Sequence, residues 1–249
     1  MDQLLEQITE VVRACGNLIR NAQRSEEMID EKTGHANFVT TYDKMVQEEL
    51  QKRLLQILPE AVFVGEEEDI HASIEKGYAF IVDPIDGTTN FIKDYHTSAI
   101  SVGLTRDAEP YMGVVYNPYL DEMYAAQKGK GAYCNGRPIH VSKEPLSKGI
   151  VIFGTAPYYK ELNEPSFRMA YEYFQKALDI RRSGSAALDL CCIAAGRAEL
   201  FFELRLSPWD YAAASLIVTE AGGVVTTCEG NPITLDAPCS VKARNGVVE

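Results

Sequence analysis

The sequence predicts an α/β fold, a single layered domain of two lobes in which helices pack on sheets. Three observations predict it. The chain opens with apolar residues at helical spacing, its middle breaks into short β-type segments separated by turns, and its second half alternates strand and helix patterns. Leu4, Leu5, Ile8, Val11, Val12, Cys15, Leu18 and Ile19 recur every three or four residues, the signature of an amphipathic helix. A polar stretch follows over 24–37. A second helix is expected from Asp43, as its cap, to Leu58, where Pro59 stops it. Residues 61–64, ending at Gly65, and 78–82 read as buried strands.

Segments 98–105, 111–116 and 122–126 read as strands punctuated by Asn117-Pro118, Gly129-Lys130-Gly131 and Asn135-Gly136, which predicts an antiparallel meander. Beyond it, 150–154, 180–182, 198–203 and 224–227 read as strands. Residues 165–178, 186–195 and 210–221 read as helices. No Pro/Gly/Ser-rich linker, repeat or low-complexity tract divides the chain. One domain over 1–249 is therefore expected, with lobes of about 1–145 and 146–249.

Composition excludes several function classes. A net charge of −12 without a dense basic run argues against a nucleic-acid partner. It leaves a phosphate substrate open, provided that metals or backbone N–H groups build the phosphate site. No apolar run approaches the ~20 residues of a membrane span. The start, Met1-Asp2-Gln3-Leu4, lacks the basic and then apolar pattern of a signal peptide, so a cytoplasmic protein is expected. Six cysteines, at 15, 134, 191, 192, 228 and 239, form no C-x-x-C pair and read as free thiols. The four histidines are dispersed and do not pair at ligand spacing.

The chemistry concentrates in Asp83-Pro84-Ile85-Asp86-Gly87-Thr88-Thr89-Asn90-Phe91. A buried strand ending at Asp83 delivers its carboxylate to the sheet edge, and Pro84 turns the chain so that Asp86 returns towards it. Two carboxylates this close repel unless a cation separates them, and an all-oxygen donor set favours magnesium before calcium. Gly87 allows close approach of a ligand, and Thr88-Thr89-Asn90 can open a helix whose free N–H groups cradle phosphate. An ordinary Asp-Gly turn with a Thr cap explains any one of these residues but not the run. Gly65-Glu66-Glu67-Glu68-Asp69 places Glu66 near the same sheet edge, while Glu68 and Asp69 read as a solvated loop. Ser207-Pro208-Trp209-Asp210 sets Asp210 at a helix start, as an N-cap, a metal ligand or both, with Trp209 placed to shield the site.

Gly65-Glu66-Glu67, the 83–91 run and Trp209-Asp210 resemble, in order and spacing, the signatures of the inositol monophosphatase family. The resemblance extends through Val39-Thr40-Thr41-Tyr42-Asp43, Gly129-Lys130-Gly131-Ala132, Cys134-Asn135-Gly136 and Glu220-Ala221-Gly222-Gly223, nearly the whole chain. It implies a five-layer αβαβα sandwich, Mg²⁺-dependent hydrolysis of a small-molecule phosphate monoester, two or three Mg²⁺ ions per site, and a homodimer. It further implies that Glu66, Asp83 and the Ile85 carbonyl bind one ion and that Asp83, Asp86 and Asp210 bind a second. Glu67 and Thr88 match positions that orient the attacking water, and Gly87 and Thr88 those that donate N–H groups to phosphate. Glu203 matches a residue contacting polyol hydroxyls, and Gly184, Ser185 and Ala186 match a loop lining the same pocket. Lys32 and Asp43 fall where the family places residues just outside the metals. Arg181-Arg182-Ser183 follows a strand and faces either an anionic substrate or an acid such as Asp189. Arg205 departs from the small residue of many relatives, so it either reshapes the pocket or contacts a second subunit.

Overall fold

In the computed structural model, the described residues are 2–23, 29–31, 38–68 and 72–248. Helix α1 (Gln3–Arg20) is capped by Asp2, and its buried stripe of Leu5, Ile8, Val12, Cys15 and Ile19 matches the predicted periodicity. Strands β1 (Ile29–Glu31) and β2 (Phe38–Thr40) pair antiparallel, although the polar sequence around β1 gives no strand signal. Helix α2 (Thr41–Ile57) starts at Thr40, not at Asp43. Asp43 is its third residue and closes a capping box, accepting from the Thr40 backbone N–H at 2.7 Å.

A seven-stranded sheet follows in chain order: β3 (Val62–Gly65), β4 (Tyr78–Asp86), β5 (Ala99–Arg106), β6 (Glu109–Asn117), β7 (Glu122–Gln127), β8 (Ala132–Cys134) and β9 (Arg137–Ile139). β3 and β4 run parallel and the rest form the expected meander. The hairpin β8–β9 about Asn135-Gly136 is an addition to the sequence reading, since three-residue strands are too short to show a period. Helix α3 (Thr88–Ile92) lies between β4 and β5.

The second sheet has the order β11-β10-β12-β14-β13, from β10 (Ile150–Phe153), β11 (Asp179–Arg181), β12 (Leu200–Leu206), β13 (Val224–Thr226) and β14 (Cys239–Arg244). Its helices are α4 (Asn163–Phe174), α5 (Ala186–Ala194) and α6 (Pro208–Glu220).

Alternation along the strands sorts these elements into five layers. Phe80 and Val82 of β4 pack under α1 and α2, whereas Ala79 and Ile81 face α5 and α6. Ile152 and Phe201 of the second sheet meet the same two helices from the other side, while Val151, Phe153, Leu200 and Phe202 pack beneath α4. The order is αβαβα. The middle helices, buried on both sides, are apolar almost all round, as such a position requires. α6 lies against the first sheet at Gly113, where a Cβ would come within 2.4 Å of the Ala213 carbonyl oxygen. That close approach, with the Ser101 hydroxyl bonded to the Trp209 carbonyl at 3.2 Å, sets the start of α6 over the ends of β4 and β5. All six cysteines are free, and among the described residues no helix is long and apolar enough to cross a membrane.

Candidate active site

Asp83 is the next inward position of β4 after Ala79 and Ile81, so its carboxyl enters the middle layer. The strand does not end there. It continues to Asp86, and the pairing with β5 slips between Asp83 and Asp86, a bulge that bends the chain and re-aims Asp86. The start of α6 brings in Asp210, and carboxylate oxygens of Asp83, Asp86 and Asp210 lie within 4.8 Å of one another. Ser207, not Asp210, caps α6. Asp210 is the third residue of that capping box, accepting from the Ser207 N–H at 2.7 Å, so capping occupies one oxygen and leaves the other for the cluster.

Each acid is held in place by donors. Asp83 Oδ1 accepts from the Ile85 N–H at 2.9 Å. Asp86 accepts from the Ser185 hydroxyl, the Ala187 N–H at 2.8 Å and the Ala186 N–H at 3.3 Å, so the opening of α5 is built around it. Burial still dominates the electrostatics. Burial and then Glu66, Asp86 and Asp210 push Asp83 well above the ordinary carboxylate range. Asp86 is pushed up to about 6 by burial, against the pull of its hydrogen bonds. Burial, then Glu66 and Asp86, push Asp210 well up. A protein interior leaves three such acids together when a cation is meant to stand among them. The donors are all oxygens, so the arrangement fits a hard divalent ion such as Mg²⁺.

The flanking residues converge on the same cavity, about 500 Å³ in volume. Glu66, Ile85, Gly87, Thr88, Gly184, Ser185, Ala186 and Glu203 all line it, as does Trp209. Thr88 Oγ1 reaches the Ile85 carbonyl at 3.2 Å and Asp43 Oδ1 at 3.3 Å. Asp43 is itself buried and pushed up to about 7, by burial first and also by Glu66 and Glu67, against hydrogen bonds from Thr40. Glu67 does not line the cavity. Its N–H donates to Gln47 at 2.9 Å, and its charge acts on Asp43. Glu203 is buried and pushed up to about 7, by burial first, while its Oε1 accepts from the Ala156 N–H at 2.8 Å. Glu68 is half-buried and accepts from Gln51 at 3.3 Å, so it is no solvated loop residue. Lys32 and Asp69 lie outside the described residues.

Gly87 adopts φ 87°, the N-cap position of the five-residue α3. Its missing side chain matters, because a Cβ would stand 3.1 Å from both the Gly184 and Thr97 carbonyl oxygens. Asn90 ties the same two loops together, donating to the Thr97 carbonyl at 2.7 Å and the Ser183 carbonyl at 3.0 Å. Gly87→Ala is therefore expected to cost about 1–2 kcal/mol of stability from backbone strain alone and to displace Thr88. Thermal unfolding together with kcat checks this, and an unchanged midpoint and rate would contradict it.

The sequence pattern does not single out residues 154–159, which follow β10. Ala156, Tyr158 and Tyr159 line the cavity, and Tyr158 is pushed up by burial and by the acids around it. The available signal was position, since a loop leaving the C-terminal end of a parallel strand is where α/β sheets hold ligands. Asp189 also lines the cavity, an acid interrupting the apolar α5 that burial pushes well up. A separate cavity of about 380 Å³, lined by Asp2, Leu5, Gln127, Lys130 and Tyr133, gathers no comparable set of acids.

Comparison with known proteins places these features. Residues 1–248 match the family described as Inositol monophosphatase family. Inositol monophosphatase 2 of Solanum lycopersicum is 38% identical over 95% of this chain and 92% of its own. Nus factor SuhB of Vibrio cholerae is 33% identical over 98% of this chain and 94% of its own. The solved structure of an inositol monophosphatase from Anabaena superposes with a TM-score of 0.85 at 30% identity, covering 98% of this chain and 90% of that one.

Proposed function

Since the chain belongs to the inositol monophosphatase family, we propose that it is a Mg²⁺-dependent phosphomonoesterase acting on inositol monophosphate or a related small sugar or polyol phosphate. The observation that carries this reading is the convergence of Asp83, Asp86 and Asp210 within 4.8 Å, Asp83 and Asp86 buried and Asp210 partly so, with burial and neighbouring acids pushing each carboxyl up. Phosphate monoesters hydrolyse so slowly unaided that a site must both neutralise oxygen charge and position water. Mg²⁺ bound here supplies Lewis-acid polarisation of phosphate oxygens and acidifies water.

The chain's own residues do the rest. Glu66, Asp83 and the Ile85 carbonyl would hold one ion, and Asp83, Asp86 and Asp210 another. Thr88 Oγ1, fixed between Asp43 and the Ile85 carbonyl, orients the attacking water. Asp43 accepts the hydroxyl proton's hydrogen bond so that a lone pair of the oxygen remains for that water. Glu67, whose charge acts on Asp43, would help Thr88 orient that water. The Gly87 and Thr88 N–H groups hold phosphate oxygens, and Glu203 accepts from substrate hydroxyls beside the loop of Gly184, Ser185 and Ala186. On this reading the chain acts as one domain over 1–249, with lobes of about 1–145 and 146–249.

A second reading is favoured by the relatives named Nus factor SuhB, which point to a binding role kept alongside or instead of catalysis. Phosphate release from inositol 1-phosphate, fructose 1,6-bisphosphate, adenosine 3′,5′-bisphosphate, histidinol phosphate and NADP, each with Mg²⁺ and with EDTA, separates the two. Chelator-sensitive release is expected, and the best kcat/KM names the substrate class. A folded protein that releases phosphate from none of them would overturn the phosphatase reading.

A further inference from the structure

The acidic cavity is lined by an arginine, Arg205, that makes no ion pair among the described residues. β12 slips in register between Glu203 and Leu206, and both Glu203 and Arg205, two residues on, line the cavity. The guanidinium of Arg205 lies over the Tyr159 ring, its Cζ 4.6 Å from the centroid. Such stacking fixes one face of the fork and leaves its N–H edge available. Several other arginines of this acidic chain meet carboxylates, Arg197 on Glu122, Arg53 on Glu49 and Arg168 on Glu164, whereas Arg20, Arg182 and Arg244 bond to Asn17, Thr155 and the Val248 carbonyl. Among the described residues Arg205 makes no ion pair. Arg182, on the same wall, donates to Thr155 Oγ1 at 3.2 Å and faces Glu203 and Asp189, so its charge is balanced within the protein.

An exposed arginine lining the cavity, stacked on an aromatic ring and without an ion pair among the described residues, is placed to meet an anion of the ligand. A planar fork matches the paired oxygens of a phosphate better than a hydroxyl. We propose that Arg205, stacked on Tyr159, is a specificity-determining residue that recognises a second phosphate on the substrate, which narrows the proposed substrate class from inositol monophosphate to small sugar or nucleotide phosphates that carry two phosphates. This rests on the phosphatase reading of the acidic cluster, which would handle the phosphate that leaves. A residue merely fastening the 154–159 loop would affect all substrates alike.

Two substrate pairs test it: fructose 1-phosphate against fructose 1,6-bisphosphate, and adenosine 3′-phosphate against adenosine 3′,5′-bisphosphate. The wild type is expected to prefer the bisphosphate in at least one pair. In Arg205→Gln that preference, as a ratio of kcat/KM values, is expected to fall about tenfold or more, the scale of one charge-assisted hydrogen bond, through KM rather than kcat. Arg205→Lys should recover part of it. A preference unchanged in Arg205→Gln, or a wild type preferring the monophosphate in both pairs, overturns the proposal. Should no substrate release phosphate, the phosphatase reading fails, and calorimetric titration of both bisphosphates into the Ca²⁺-loaded wild type and variant decides the subsite. Weaker binding by Arg205→Gln would then uphold it as an anion site, and equal or absent binding would overturn it.

Discussion

Asp83→Asn is expected to lower kcat/KM by a factor of about a thousand or more, the rate equivalent of several kcal/mol of charge stabilisation. The same change is expected to leave the metal-free protein as stable as the wild type, or more stable. Both results follow from one geometry. Asp83 is shared between the two proposed ion positions, so its loss weakens both. Its Oδ1 accepts the Ile85 N–H, an interaction that Asn keeps, and the charges that act on it most strongly are other acids: Glu66, Asp86, Asp210 and Asp43. Removing a buried charge without a partner relieves repulsion and desolvation. Each kcal/mol so gained raises the midpoint of thermal unfolding by about 2–4 °C in a domain of this size. Kinetics with Mg²⁺ and melting with EDTA check the pair of outcomes. Full activity, or a metal-free melting point many degrees lower, would show that Asp83 has another role.

The metal-free protein is expected to lose several kcal/mol of stability as pH rises from about 4 to about 7, and Mg²⁺ is expected to restore it at the upper end. The sign follows from the raised carboxylates. Asp43 and Glu203 titrate at about 7 in the folded chain and Asp86 at about 6, against about 4 unfolded. Between those values the folded state binds more protons than the unfolded one, so stability falls as pH rises. It is fully present below the unfolded values and lost on passing the folded ones. Acids drawn the other way, such as Glu122 beside Arg197, lose their contribution only below their unfolded value and leave this window untouched. Chemical unfolding at several pH values, with EDTA and with Mg²⁺, measures it. A stability that rises through the window without metal would contradict the electrostatics of the site.

What was legible in the sequence was what local pattern encodes. The stripe of α1 and the apolar runs of β3 and β4 announce themselves because burial on one side imposes a period. The strands β1, β8 and β9 do not, being three residues long and partly polar. Helix starts were misplaced in the same way twice. Asp43 and Asp210 resemble caps, yet each is the third residue of a capping box whose cap is Thr40 or Ser207. The Asp83–Asp86 spacing was local and readable, although the bulge that joins them depends on β5. The partnership of Thr88 with Asp43, and of Asp86 with the start of α5, joins residues far apart in the chain and became visible only through the resemblance or the fold. The stacking of Arg205 on Tyr159 joins the end of β12 to the loop after the neighbouring strand β10, and no local pattern records it.

The central claim is that the acids at the end of β4 and the start of α6 form a magnesium centre. Calorimetric titration of Mg²⁺ into metal-free wild type, Asp83→Asn and Asp210→Asn at neutral pH tests it most directly. The account predicts saturable binding by the wild type, with proton release because raised carboxylates must deprotonate, and loss of at least one binding event in each variant. Binding that is identical in all three proteins, or absent from the folded wild type, would contradict it.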